Sequence, residues 1–153
     1  MKRWPWLYWL PAVGLTLLVA WASSARFSAG ASAGWLSTVW AWLQLFWPTL
    51  RLETLNHLVR KTGHVCTYGT LFLCWQLAFS HSTCRRPRLT GWLLTLVIAG
   101  WDEANQSWLP ERTGTPRDVL WDTAGMLLFL ALQRWCAVFV KKKSIPLKST
   151  GEA

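Results

Sequence analysis

Three apolar stretches constrain the fold of this chain more strongly than any other feature of its sequence. They run over residues 4–25, 64–80 and 119–140. Because an α-helix rises 1.5 Å per residue, about 20 apolar residues cross the roughly 30 Å hydrocarbon core of a bilayer. A fourth stretch, residues 89–108, reaches that length only if two acids and a glutamine lie inside it. The sequence predicts an all-α membrane domain over residues 1–140, a bundle of four transmembrane helices.

The segment between the first two apolar stretches predicts other structure. Residues 27–34 are rich in Ser, Ala and Gly, which is typical of a loop. Residues 35–47 hold four Trp and no charge but are too short to span, so they predict an interfacial or re-entrant segment. Pro48 ends it, and apolar side chains at helical spacing over residues 52–59 predict a short surface helix leading into the second span.

The charged residues are distributed unevenly between the ends of the predicted helices. With the N-terminus in the cytoplasm, the inner side holds ten of the sixteen Lys and Arg residues and one acid, whereas the outer side holds six of each sign. A cytoplasmic excess of Lys and Arg is usual in membrane proteins, so both termini are predicted inside. This pattern accounts for the whole net charge of +9, and no nucleic-acid partner is predicted.

The two ends of the chain need separate interpretation. A basic start followed by an apolar run is also typical of a signal peptide, but a run of about 20 residues is long for that role. We therefore expect the first helix to be retained. Residues 141–153 predict a disordered, basic cytoplasmic tail whose lysines lie on anionic headgroups.

No motif in the sequence predicts a metal or another cofactor. The four cysteines, at positions 66, 74, 84 and 136, form no CxxC pair and are interpreted as small apolar fillers. The HExxH motif of metalloproteases and the GxSxG motif of serine hydrolases do not occur. Neither a metal nor an obvious nucleophile is therefore expected.

Five of the seven acidic residues lie in one stretch, residues 102–122, which borders apolar sequence on both sides. A carboxylate near hydrocarbon loses its hydration and must find partners or protons. Because acids in such a place are destabilising, a chain with no use for them should not keep them, and we expect the functional region of the chain here.

Helix geometry places polar residues of three predicted helices in one layer. The layer consists of His64 and Tyr68 on the second helix, Asp102 and Gln106 on the third, and Asp122 on the fourth. The helical rise puts them about 5 to 12 Å below the outer helix ends. Their spacing gives each helix a single polar face. We predict one outward-facing pocket, with Gly125 allowing another helix to come close beside Asp122.

Some of the charged residues have a structural alternative. The sequence TPRD before and including Asp118 predicts a helix start, so Asp118 is expected to stabilise that start. Asp102 and Glu103 differ by about 100° around the helix and cannot both face one partner. One of them is expected in a salt bridge, for which the candidate partners are Lys61, Arg112 and Arg117. Arg112 either clamps an anion or neutralises Glu103.

Two segments resemble the sequence boxes of the VanZ-like family. Residues 60–68 have the sequence RKTGHVCTY, similar to its RKxxHFxEY box, and residues 102–125 resemble its DExxQxFxPxRxGxxxDxxxDxxG signature. The resemblance extends over residues 51–140, most of the chain. The departures are Val65, Thr67 and Asn105. The missing acid at position 67 and the missing His at position 105, where the family often has one, weaken any metal or proton-relay role.

The resemblance implies a small protein of the bacterial cytoplasmic membrane, in a family named for an accessory determinant of teicoplanin resistance. By the same resemblance, its signature residues are Lys61, His64, Asp102, Glu103, Gln106, Arg112, Asp118 and Asp122. These residues, with Arg117 added as a further outer cation, are the candidate site.

The first functional hypothesis is a pocket that binds, and in an enzymatic version modifies, an anionic lipid, a polyprenyl phosphate or a lipid-linked cell-wall precursor. Charge-assisted hydrogen bonds from Lys61, Arg112 and Arg117 would hold the phosphate. His64 with Asp102 or Asp122 is the candidate acid/base pair. The remaining predicted ligand-binding residues are Glu103, Gln106 and Asp118.

Two other hypotheses remain open. The chain could be a non-catalytic accessory subunit whose polar layer only holds helices in register. An ion or proton carrier is the weaker alternative, because the inner halves of all four predicted spans are apolar. The sequence makes no prediction of the oligomeric state.

Overall fold

The computed structural model describes residues 4–23, 29–108 and 117–143. These residues are all-α, without a strand in the described ranges, so the all-α part of the prediction is confirmed. The elements are a 3-10 turn at Pro5–Tyr8, α1 at Leu10–Ala22, α2 at Ala29–Gln44, α3 at Leu52–Ser80, α4 at Pro87–Ser107 and α5 at Asp118–Lys143.

Local sequence accounts for several helix boundaries. Pro87 occupies the first turn of α4, where its missing N–H leaves no helical bond unmade. α5 begins at Asp118, whose negative charge favours a helix N-terminus. Arg51 before α3 is extended, with ψ of 140°, and the helix then continues to Ser80.

Two boundaries predicted from the sequence are wrong. The predicted loop at residues 27–34 is helical from residue 29 onward, within α2. Alanine has the highest helix propensity, and the alternating alanines of this segment offset its glycines. The predicted short surface helix at residues 52–59 is the first part of α3, a single helix of 29 residues. No proline separates the two parts, so nothing ends the helix between them.

α3 is the central element, and it contacts each of the other four helices. Its buried side chains recur every three or four residues, at Tyr68, Leu71, Phe72, Trp75 and Ala78, so that one face carries most of the core. The contacts with α5 and α4 are the most extensive. Residues of α3 therefore lie at the junction of the helices that carry the predicted polar layer.

Small residues bring α4 and α5 close to α3. A Cβ atom added at Gly91 of α4 would lie 2.8 Å from the backbone nitrogen of Gln76, and one at Gly125 of α5 would lie 2.8 Å from Cα of Val65. Backbone contact of this kind is common between helices in membranes, where small residues allow close packing. The predicted role of Gly125 is thereby confirmed, and Asp122, one turn away, faces α3.

Side-chain hydrogen bonds attach α1 and α2 to α3. The indole of Trp75 donates to Thr16 Oγ1 of α1 at 3.3 Å, and Ser32 of α2 donates to Asn56 Oδ1 at 2.8 Å. At the opposite end, Tyr8 stacks on His81 with ring centroids 3.6 Å apart. The first turn of the described chain thus lies beside the turn between α3 and α4.

Two helical stretches, Pro5–Ala22 and Asp118–Lys141, are long and apolar enough to cross a membrane by length and composition. Large apolar side chains are exposed along both, for example Leu17 and Val140. Such extensive apolar exposure is typical of a membrane protein rather than of a soluble domain. α3 and α4 are less apolar, because they carry most of the polar side chains described next.

Candidate functional site

The first part of the site joins α3 to α4 through a buried carboxylate. Tyr68 OH donates to Asp102 Oδ2 at 2.7 Å, and Gln106 Nε2 donates to the same oxygen at 2.9 Å. Asp102 and Gln106 are one turn apart on α4, so both can face Tyr68. All three side chains are buried. Two neutral donors on one oxygen hold this carboxylate in a single orientation.

The second part joins α3 to α5. His64 Nδ1 lies 2.9 Å from Asp122 Oδ1, and Asp122 is completely buried. Glu103 Oε1 lies 3.9 Å from the same nitrogen. The imidazole also stacks on Tyr68, with ring centroids 5.9 Å apart. His64 therefore has two acids on one side and the ring that holds Asp102 on the other.

These residues form one group, which we name the polar cluster. Its members are His64, Tyr68, Asp102, Glu103, Gln106 and Asp122. Asp102 and Glu103 both lie in it. Although they differ by about 100° around α4, one oxygen of each lies within 4.8 Å of a ring nitrogen of His64, so the two acids share this neighbour, contrary to the expectation from the sequence. The structure thus brings together, from three helices, all five residues of the layer predicted from the sequence, and Glu103 with them.

The other predicted site residues lie elsewhere. Lys61 and Asp118 form an ion pair between α3 and α5, and both side chains are about one-fifth exposed, at 18%. Asp118 is also the first residue of α5, in agreement with its predicted place at a helix start. Arg117 is exposed just before that helix. Arg112 lies outside the described residues.

A cavity of about 280 Å³ adjoins the polar cluster. Its apolar wall comes from Val19 and Ala22 of α1. Its polar wall contains Ser32 of α2, Arg60, His64, Thr67 and Tyr68 of α3, and Asp102 and Gln106 of α4. The cavity is therefore amphipathic, with an arginine, an imidazole, hydroxyl groups, an amide and the Asp102 carboxylate on one side and the apolar side chains of Val19 and Ala22 on the other.

The sequence interpretation did not include Arg60 and Ser32 in the site. Arg60 precedes His64 by one helical turn and lies in the same cavity wall, so the i, i+4 spacing could have revealed it. Ser32 lies in the segment interpreted as a loop, and no periodicity linked it to α3. Its hydrogen bond to Asn56 brings it beside the cavity.

The polar cluster contains buried carboxyl oxygens without hydrogen-bond partners and a group of three potential ligand atoms. Asp102 Oδ1 and Asp122 Oδ2 are buried oxygens without a hydrogen-bond partner in the described part of the chain. In addition, His64, Asp102 and Glu103 each offer one ligand atom, and these atoms all lie within 4.8 Å of one another. The arrangement can exchange protons through His64, accept hydrogen bonds, or hold a cation.

One comparison with known proteins gives a match. A family model described as VanZ/LLP1 matches residues 6–138, nearly the whole chain. No curated protein and no solved structure matches the chain.

Proposed function

This chain belongs to the VanZ/LLP1 family, and from that premise we propose that its amphipathic cavity binds the phosphate-bearing headgroup of a membrane lipid. The ligand would be an anionic lipid such as a polyprenyl phosphate or a lipid-linked cell-wall precursor. The observation that carries the proposal is the cavity wall, where Arg60 and His64 face a space bordered by Val19 and Ala22. A bound lipid needs both surfaces, one for phosphate and one for the first part of its chain.

The proposal includes four membrane spans, α1, α3, α4 and α5, with α2 in or re-entering the outer interface. Two of these four helices are long and apolar enough to cross a membrane. Several polar side chains of α3 and α4 are buried against other helices and would not contact lipid. The basic turn at residues 84–88 and the end of α5 would face the cytoplasm, together with both termini. The polar cluster and its cavity would then open toward the outside of the bacterial inner membrane.

Arg60 is the principal phosphate-binding residue in this proposal. Arginine offers a planar set of donors that suits phosphate oxygens. Thr67 and Ser32 in the same wall add neutral donors. Lys61, Arg112 and Arg117 are proposed as outer cations that attract the headgroup, with Lys61 also paired to Asp118. Glu103 and Gln106 support the wall from α4.

His64 is the proposed acid/base group if the bound lipid is also modified. Asp122 orients its imidazole, and Asp102 lies in the same cavity wall. A phosphate oxygen held by Arg60 would lie near a group that can give or take a proton. We further propose a link to glycopeptide resistance, which would act through a cell-wall precursor bound in this cavity.

The test is direct binding of a polyprenyl phosphate to the detergent-purified protein, measured by native mass spectrometry. We expect one lipid per chain, and a loss of about tenfold or more in affinity for Arg60→Gln, because a hydrogen bond to a charged group contributes about 1.5–3 kcal/mol. Arg51→Gln, an exposed arginine before α3, is the matched control. Binding of the uncharged polyprenol with equal affinity, or unchanged binding by Arg60→Gln, would refute the proposal.

A second candidate function is that of a non-catalytic accessory subunit. The specific observation in its favour is that the bonds Tyr68–Asp102, His64–Asp122 and Lys61–Asp118 each join two different helices. Interhelical polar bonds can serve packing alone, at about 0.6 kcal/mol each on average in one membrane protein. In that case the cluster affects stability and not ligand binding.

A further inference from the structure

Three donor atoms from two helices converge in the polar cluster. They belong to His64 on α3 and to Asp102 and Glu103 on α4, and each lies within 4.8 Å of the other two. Asp102 is 4% exposed and Glu103 is 5% exposed. Surface acids often approach one another without a ligand, but these two carboxylates are buried and have a ring nitrogen beside them.

The second, independent observation is the set of buried oxygens that lack a partner. The Oδ2 atom of Asp102 accepts two hydrogen bonds, whereas its Oδ1 atom accepts none among the described residues. The same is true of Asp122, where Oδ1 contacts His64 and Oδ2 has no partner in the described chain. A buried carboxyl oxygen in this state is destabilising, and in native proteins a bound ion or water is a usual explanation.

We propose that the polar cluster is a binding site for one divalent transition-metal cation. Its ligands would be a ring nitrogen of His64 and carboxylate oxygens of Asp102 and Glu103. One imidazole with two carboxylates suits Zn²⁺, Mn²⁺ or Fe²⁺. A site without thiolate ligands disfavours Cu(I), and the imidazole disfavours Ca²⁺.

The groups around the three ligands have the contacts expected of outer supports. Asp122 contacts Nδ1 of His64 at 2.9 Å, so that with Nε2 as the ligand nitrogen it would fix the orientation of the ring. Tyr68 and Gln106 both donate to Asp102 Oδ2 and leave Oδ1 without a partner in the described residues. Hydrogen bonds from such supports orient metal ligands, and their loss typically weakens metal affinity by about 10- to 100-fold.

The cation would also change what the neighbouring cavity can accept. Asp102 and His64 line that cavity, and an unneutralised carboxylate there repels a phosphate. A divalent cation on Asp102 reverses this repulsion and adds a ligand position for a phosphate oxygen. This consequence rests on the proposed function, whereas the metal site itself does not.

The test uses the untagged full-length protein in detergent, stripped with a chelator and titrated with MnCl₂ or ZnCl₂ alone. We expect one Mn²⁺ per chain, measured by the loss of the free-ion electron paramagnetic resonance signal, and one Zn²⁺ per chain by calorimetry. His64→Ala, Asp102→Asn and Glu103→Gln should each weaken binding by about tenfold or more. Glu53→Gln, which changes an exposed acid in the first turn of α3, should bind as the wild type does.

Thermal unfolding separates loss of ligands from loss of fold. Saturating metal should raise the midpoint of the wild type and of Glu53→Gln but not that of the three ligand variants, because only a folded site gains from the ion. The proposed site would be refuted if folded wild-type protein did not bind metal at millimolar concentration. It would also be refuted if all three variants bound metal as tightly as the wild type.

A final arm adds polyprenyl phosphate to the metal-loaded and metal-stripped protein. Tighter lipid binding with metal supports the consequence for the cavity, and equal lipid binding refutes that consequence. Metal binding without any lipid binding would refute the proposed function and leave the metal site standing.

Discussion

At Asp102 the two oxygens of one buried carboxylate have different surroundings. Tyr68 and Gln106 both donate to Oδ2, and Oδ1 has no hydrogen-bond partner in the described chain. Donors on a single oxygen fix the rotation of the carboxylate group, so the second oxygen keeps a constant direction. One oxygen of Asp102 therefore joins α4 to α3, and the other has acceptor capacity left for a ligand.

Asp122→Asn separates the two candidate functions at the scale of one residue. The substitution keeps the size of a completely buried side chain but removes the charge beside His64. We expect folded protein with polyprenyl phosphate affinity reduced about tenfold, because His64 in the cavity wall loses the carboxylate that orients its ring and with it a hydrogen bond to the phosphate, which would contribute about 1.5–3 kcal/mol. Native mass spectrometry at low temperature measures the affinity and a thermal melt measures the stability.

The same experiment has a clear contrary result. If Asp122→Asn lowers the melting midpoint while the folded fraction binds lipid as tightly as the wild type, the cluster is structural and the accessory-subunit alternative holds. Glu53→Gln again serves as the acid-to-amide control outside the cluster.

Individual residues of the cluster could be found from the sequence because helical spacing acts locally. His64, Tyr68, Asp102, Gln106 and Asp122 were placed in one layer by rise and periodicity alone. The pairing within the layer could not be found in that way, since it depends on how each helix is rotated against its neighbours. Arg60 was assigned to no site although its spacing from His64 was informative.

At the scale of elements, the close approach of α3 and α5 depends on glycine. A Cβ atom at Gly125 would lie 2.8 Å from Cα of Val65, which real contacts essentially never show. Gly69 on the facing side of α3 similarly lies against Gly125, whose carbonyl oxygen would be 2.9 Å from an added Cβ. These two small residues allow the close approach of α3 and α5 at which His64 and Asp122 lie within hydrogen-bond distance.

Gly125→Ala tests this dependence. We expect it to lower the free energy of unfolding by about 1–3 kcal/mol, because the added methyl group must displace the backbone of α3. Gly100→Ala on α4 is the matched control, since nothing lies within 4 Å of its added Cβ, and alanine favours a helix by about 1 kcal/mol. Unfolding in detergent, followed by circular dichroism, measures the stability of both variants. Equal stability would show that the packing of α3 against α5 does not depend on a glycine at position 125.

The elements themselves were predicted well where length and polarity were decisive. Helices were expected around residues 4–25, 64–80, 89–108 and 119–140, and a helix lies in each range. The errors concern the boundaries of helices. The helix α3 is continuous, and α2 begins within the segment that was expected to be a loop, because neither segment contains a proline. Small residues alone did not end a helix.

At the scale of the whole molecule, the two ends of the bundle differ in chemistry. One end holds the stacked Tyr8 and His81 and the basic turn of residues 84–88. The other end holds the polar cluster, the cavity and the ion pair of Lys61 with Asp118. Because membrane proteins usually carry an excess of cations on the cytoplasmic side, we predict that the first end faces the inside and the second the outside.

Single-cysteine labelling tests this orientation in intact cells. With the four native cysteines replaced, we expect a membrane-impermeant maleimide to label Thr49→Cys in the α2–α3 turn but not Ser82→Cys in the α3–α4 turn. Both positions are exposed, so permeabilised cells should show labelling at each and provide the control. Labelling of Ser82→Cys in intact cells would invert the proposed topology and place the cavity in the cytoplasm.

The sequence by itself determined the all-α class, the positions of the main helices and the set of polar residues at one depth. These properties follow from backbone geometry and from hydrophobic partition, both of which act within a single helix. Only the tertiary structure decided that Tyr68 holds Asp102, that His64 contacts Asp122 and that Lys61 pairs with Asp118. The rotation of one helix against another is set by close packing at residues such as Gly91 and Gly125, and no periodicity within one helix contains that information.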